Sequence, residues 1–102
     1  MSLVREVMTA GSISRCDIRG CRFDGLWKPV MLAPYGEKTA EASIEIHVCS
    51  SHKHELGDEF FKNIVYEEIA ERIKQTNSIP PTRRECVIRW DKWNPGIIVL
   101  DA

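Results

Sequence analysis

The chain has 102 residues, a net charge of −1, 43% hydrophobic and 28% charged side chains. That is the length of one domain and the composition of a folded globular chain, which argues against a low-complexity or disordered polypeptide. The near-zero charge sets up no global field toward nucleic acid or a membrane surface, and no apolar run approaches the ~20 residues a membrane-spanning helix needs.

Residues 1–15 are weakly patterned, and Gly11-Ser12 with Ser14 read as a flexible N-terminal arm. A single domain is expected over 16–102. Met1 to Gly11 has no apolar segment of signal-peptide type, so a cytoplasmic location is expected. A reducing cytosol keeps thiols reduced, and reduced thiols bind metal more readily than they pair. Cys16-x4-Cys21 forms one close ligand pair and Cys49-x2-His52 a second. Two such pairs on separate elements are what a tetrahedral structural zinc site requires. One structural Zn2+ per chain is therefore expected on Cys16, Cys21, Cys49 and His52. His54 is the alternative fourth ligand; His52 is favoured because three-residue spacing closes within one helical turn.

Residues 16–25 read as a turn-rich ligand loop, followed by a strand from Leu26 to Ala33 that Pro29 would push to a sheet edge. Pro34 to Lys38 reads as a turn. Ser43 to Val48 alternates, with Ile44, Ile46 and Val48 on one face and Glu45 and His47 on the other. It therefore reads as a half-buried strand closing a hairpin, with His47 exposed. The main amphipathic helix is expected at about 58–76. Its apolar stripe is Phe61, Ile64, Val65, Ile69 and Ile73, Asp58 is its cap, and Asn77 and Pro80-Pro81 are its stop. Leu56-Gly57-Asp58 is a candidate break, which would leave the Cys-x2-His turn as a short separate one. Arg84 to Trp90, an Asn94-Pro95-Gly96 turn and Gly96 to Leu100 read as a second hairpin. Cys86, in the first of these strands, reads as a small core residue.

The order ligand loop, β-hairpin, then Cys-x2-His on a first helical turn resembles the treble-clef class of zinc fingers over roughly residues 16–75. The resemblance implies Cys16 and Cys21 as knuckle ligands and Cys49 and His52 as helix ligands. Four intervening residues and a Gly before the second cysteine depart from the usual knuckle. A zinc ribbon is the alternative architecture. Either way the expected fold class is α+β, a small zinc-stabilised domain with β-hairpins and one main helix.

Four protein ligands leave zinc no open position for water, so hydrolysis is not expected and the chain is read as a non-enzyme. It lacks His-Glu-x-x-His, a phosphate-binding Gly-rich loop and Gly-x-Ser-x-Gly. The first functional expectation is a protein-interaction module. The alternative is a nucleic-acid-binding zinc finger. It would use Arg15, Arg19 and Arg22 around the first cysteine pair, or Arg83, Arg84, Arg89 and Lys92 interleaved with Trp90 and Trp93. Each tryptophan, Trp27 included, is more often core than interface.

Overall fold

The computed structural model describes residues 14–93. Of the arm expected at 1–15, residues 1–13 lie outside the described residues, as do the turn and strand expected beyond residue 93; Ser14 and Arg15 are not arm but pair with Gly25 and Asp24 in the ligand loop. The chain builds β1 (Trp27–Tyr35), β2 (Lys38–Ser43), helix α1 (Ser50–Gln75), a 3-10 turn (Arg83–Glu85) and β3 (Val87–Lys92). The strands form one antiparallel sheet in the order β2-β1-β3, and α1 covers one face. The fold class is thus α+β: a three-stranded antiparallel sheet and one helix, with three cysteines and a histidine close together. No helix among the described residues is long and apolar enough to cross a membrane.

The first hairpin closes through Gly36-Glu37, with Tyr35 opposite Lys38. Gly36 has φ +62°, which suits the first central position of a tight two-residue hairpin turn. The loop fixes the register, so β2 runs from Lys38 to Ser43. The expected strand over Ser43 to Val48 does not form. Its physical cause is Pro29. The β1–β2 ladder stops at Val30 opposite Ser43, and the next pair would need the N–H that Pro29 lacks. The chain then kinks, with Ile46 N–H bonded to the Ile44 carbonyl. It rejoins β1 only where Val48 meets Trp27 in a single bridge with both hydrogen bonds made.

Pro29 does not push β1 to an edge, because β1 is the central strand. On the β3 side Trp93 N–H bonds the Leu26 carbonyl, and the alternation from that pair turns the nitrogen of Pro29 away from β3. The ring therefore faces the side where β2 has already ended. β3 also pairs with β1, from Trp27 opposite Lys92 to Leu32 opposite Val87.

Helix α1 starts eight residues earlier than expected, at Ser50, and is broken at Gly57 (φ +82°, ψ 168°). Its two segments behave as the candidate break suggested, with the Cys-x2-His turn in the shorter first one. Asp58 spends its carboxylate on the Trp90 indole N–H at 2.8 Å. The helix ends where expected. Asn77 (φ +60°) donates to the Lys74 carbonyl and Ser78 to that of Ile73, the paired bonds of a Schellman cap. Within the stripe Phe61 and Val65 are fully buried, and Ile64, Ile69 and Ile73 are half-buried. Met31, Ala33, Val65 and Cys86 form the core, flanked by Ile44, Tyr66, Ile69 and Ile88. Cys86 is the small core residue expected, and burial pushes its thiol pKa up. Phe61 meets Trp90 edge to face at 5.1 Å, joining helix to sheet.

The opposite face of the sheet carries an ion cluster. Arg89 bonds Asp91 on its own strand and Glu41 on β2, each at 2.8 Å, so its side chain crosses β1. Val30 lies directly opposite Arg89 on this face and is 4% exposed. The arginine stem thus covers an apolar position while its head stays in water.

Candidate metal centre

The ligand loop is a miniature hairpin. Arg15 bridges Asp24, Cys16 N–H bonds the Phe23 carbonyl and Gly25 N–H bonds that of Ser14, both at 2.8 Å. Inside it, Cys21 N–H reaches back to the Ile18 carbonyl at 2.9 Å, and Gly20 takes φ +82° just before the second cysteine. Glycine at that position allows the left-handed turn that aims both sulphurs inward.

A second stretch of chain carries the other pair. Cys49, in extended conformation, caps α1, and its Sγ accepts from the His52 N–H at 3.3 Å. One helical turn then places His52 over Cys49, as the three-residue spacing requires. The two halves are joined directly: Asp17 N–H bonds the His47 carbonyl, and His47 N–H returns a 2.6 Å bond to the Asp17 carboxylate. Gly25 lies against His47 so closely that a side chain there would collide with it.

Cys16, Cys21, Cys49 and His52 converge, with all four candidate ligand atoms within 4.8 Å of one another. The separations can be tested against zinc. Bonds of about 2.3 Å to sulphur and 2.0–2.1 Å to nitrogen, at tetrahedral angles, set sulphurs ~3.8 Å apart and sulphur from nitrogen ~3.5 Å. Cys21 Sγ and Cys49 Sγ stand 3.8 Å apart. His52 Nδ1 stands 3.6 Å from Cys16 Sγ and 3.3 Å from Cys49 Sγ. The donor set therefore fits a metal ion bound by three thiolates and one imidazole. Cys16 and Cys49 are buried, while Cys21 and His52 are partly covered. His54, two residues on, is exposed and outside the group.

The electrostatics distinguish the thiols. At Cys49 burial raises the pKa, but the His52 N–H and the neighbouring Cys21, Cys16 and His52 side chains outweigh it and bring it to about 7. Burial pushes Cys16 up instead. A thiol already inclined to ionise at the helix start is well placed to be a metal ligand, since metals bind the thiolate.

The tryptophans bolt this centre to the sheet. Trp27 donates its indole N–H to Ser50 Oγ at 3.0 Å. Lys53, next to His52, lies between two indoles, 4.7 Å from the Trp27 ring and 5.3 Å from Trp90. Trp93 donates to the Ile46 carbonyl and stacks on His47 at 4.3 Å, with Lys28 over its ring. His47 is consequently not the exposed residue expected: its side chain is 13% exposed, held between Asp17 and Trp93.

The basic residues fall into two unequal sets. Arg15, Arg19 and Arg22 are all exposed on the ligand loop. Arg83 and Arg84 lie on the 3-10 turn beyond the other end of β3, Arg89 is in the ion cluster, and Lys92 is on the opposite face beside Trp27. The second set is therefore not gathered into one patch. Asp17, Gly25 and Lys53 were missed from the sequence. A carboxylate, a glycine and a lysine in polar surroundings give no local sign of a long-range contact. No protein-family model matches the chain, and neither a curated protein nor a solved structure does so.

Proposed function

We propose that Cys16, Cys21, Cys49 and His52 hold one zinc ion in a closed structural site, and that the chain is a treble-clef-like, non-enzymatic protein-interaction module. The observation that carries this reading is the convergence of the four donors within 4.8 Å, with the Cys21–Cys49, Cys16–His52 and Cys49–His52 separations at tetrahedral-zinc values. Four protein ligands fill the coordination sphere, so the metal has no place to activate water. A reducing cytoplasm supplies the thiolates the site needs. The ion ties the ligand loop to the start of α1, two pieces separated by a whole hairpin. Structural zinc contributes roughly 10–16 kcal/mol in small zinc peptides, and less where a core already exists, as around Met31 and Val65 here.

Metal analysis of purified protein tests this directly. One zinc per chain is expected, and Cys16→Ser and Cys49→Ser should each lose both the metal and the cooperative melt. Metal-free protein whose melting is unchanged by chelator or by either substitution would refute the reading.

A further inference from the structure

The ligand loop carries an apolar group that the metal site does not use. Phe23 is 67% exposed on the returning arm of the loop, although its carbonyl is held by the Cys16 N–H at 2.8 Å. Its backbone is therefore bonded beside a candidate ligand while its ring stands in water. Arg15, Arg19 and Arg22 lie on the same loop, all exposed, and among the described residues none of the three has an ion-pair partner. Of the loop's two acidic residues, Asp17 is bonded to His47, while Asp24 is exposed across the bridge from Arg15, and three arginines against two aspartates leave the loop net positive.

We infer that this face docks an acidic segment of a partner protein, with Phe23 as the apolar anchor and the arginines gripping carboxylates around it. An exposed aromatic with arginines on the same short loop is the composition of a binding hot spot, and a guanidinium matches a carboxylate in two parallel hydrogen bonds. Holding the loop on a metal removes much of the ordering cost of binding. The inference rests on the structural-zinc reading, because only a clamped loop presents these groups together.

A nucleic acid would find less here. Single strands want several aromatic faces along a cationic groove. Each of the three indoles is tied by its N–H to Ser50, Asp58 or Ile46, and each has a lysine over its ring. Arg89 is neutralised by Glu41 and Asp91. On this loop one stacking ring and three arginines remain, which suits a short acidic peptide better than a strand of bases.

The test uses the full chain and three fluorescent probes of equal length: a peptide of alternating Asp and Glu with two central leucines, the same peptide with lysines for the acids, and an oligothymidylate. Fluorescence anisotropy at low salt should show binding of the acidic peptide and none of the lysine peptide. Phe23→Ala should weaken it about tenfold or more. Arg19→Glu should weaken it and reduce its salt dependence. Zinc content is measured on every variant, and only variants that retain one zinc are compared. Tighter binding of the oligothymidylate would overturn the inference in favour of nucleic acid. Absence of acidic-peptide binding, or binding indifferent to Phe23→Ala, would overturn it outright. If the wild type holds zinc but not the peptide, the docking surface alone fails; if it holds no zinc, the structural-metal reading fails first.

Discussion

Gly25→Ala is the sharpest probe of how the metal centre is assembled. An added Cβ would stand 2.6 Å from His47 Cβ, 2.8 Å from the His47 carbonyl carbon and 3.1 Å from the Arg15 carbonyl oxygen. Ordinary carbon contacts are about 3.5–4.0 Å, so the ligand loop and the His47 chain would have to part by roughly 1 Å. Two of the three obstructing atoms are backbone, which cannot swing aside as a side-chain tip can. Parting them pulls on the Asp17–His47 double link and moves Cys16 and Cys21 away from Cys49 and His52. Metal–ligand distances tolerate only about 0.2 Å, so the strain falls on the ion as well as on the packing. Overpacking of this kind costs about 1–3 kcal/mol, and the backbone contacts put Gly25→Ala at the upper end. For a domain of this size that lowers the melting temperature by about 10–20 °C. Differential scanning fluorimetry reads the melt, and competition with a chromophoric chelator reads zinc affinity, which should fall too. Gly36→Ala is the control. It needs φ +62° but has nothing within 4 Å and lies on the turn between β1 and β2. It should cost about 1–2 kcal/mol through the left-handed backbone alone and leave zinc affinity unchanged. A Gly25→Ala protein melting within about 2 °C of the wild type with full zinc affinity would refute the close-approach reasoning. So would an equal loss of zinc affinity in both variants.

Three further outcomes are expected. Lys53→Met keeps the stem but removes the charge between Trp27 and Trp90, and should cost about 1–2 kcal/mol, read as a lower melting temperature with one zinc still bound. Lys62 is 8% exposed and donates to the Cys86 carbonyl at 3.2 Å and to Glu59 at 3.1 Å. Lys62→Met should destabilise by about 1–2 kcal/mol, measured by denaturant unfolding, because it strips that carbonyl of its donor; a neutral effect would show that water replaces the amine. Arg89 holds the carboxyls of Glu41 and Asp91 below their ordinary values of 4.5 and 3.8, by direct hydrogen bonds first and charge second. Their folded-state pKa values are depressed, so the contribution is present above the unfolded values and lost as pH falls through the folded ones. The melting-temperature gap between wild type and Arg89→Met should therefore narrow from about pH 6 to about pH 3, with zinc loss common to both proteins.

What the chain declares locally was legible without coordinates. Cys16-x4-Cys21 and Cys49-x2-His52 announce themselves because ligand type and spacing are properties of a few neighbouring residues, and the structure brings those same four groups together. Gly36 marked the hairpin turn, and Asn77 with Pro80-Pro81 marked the end of α1, for the same reason: turn and cap preferences are set by the backbone freedom of one or two residues. The Phe61–Val65–Ile69 stripe showed which face of the helix would be buried.

Tertiary structure decided everything that depends on who lies opposite whom. Ile44, Ile46 and Val48 alternate as a strand should, yet no ladder forms, because the register set at Gly36-Glu37 brings Pro29 opposite Ile44 and removes the donor. Pro29 looked like an edge residue and sits in the central strand, since β3 ends up pairing on the side its nitrogen does not face. Helix α1 starts at the candidate metal ligands and not at Asp58, because Cys49 caps it with its own sulphur and Gly57 absorbs the bend. His47, Asp17, Gly25 and Lys53 have no motif at all. Their roles come from contacts between segments 22 to 46 residues apart, which the geometry of the folded chain creates and no local pattern encodes. The sequence determined which atoms could hold a metal; the fold determined that they meet at zinc-like distances and that Phe23 and its arginines are left facing outward.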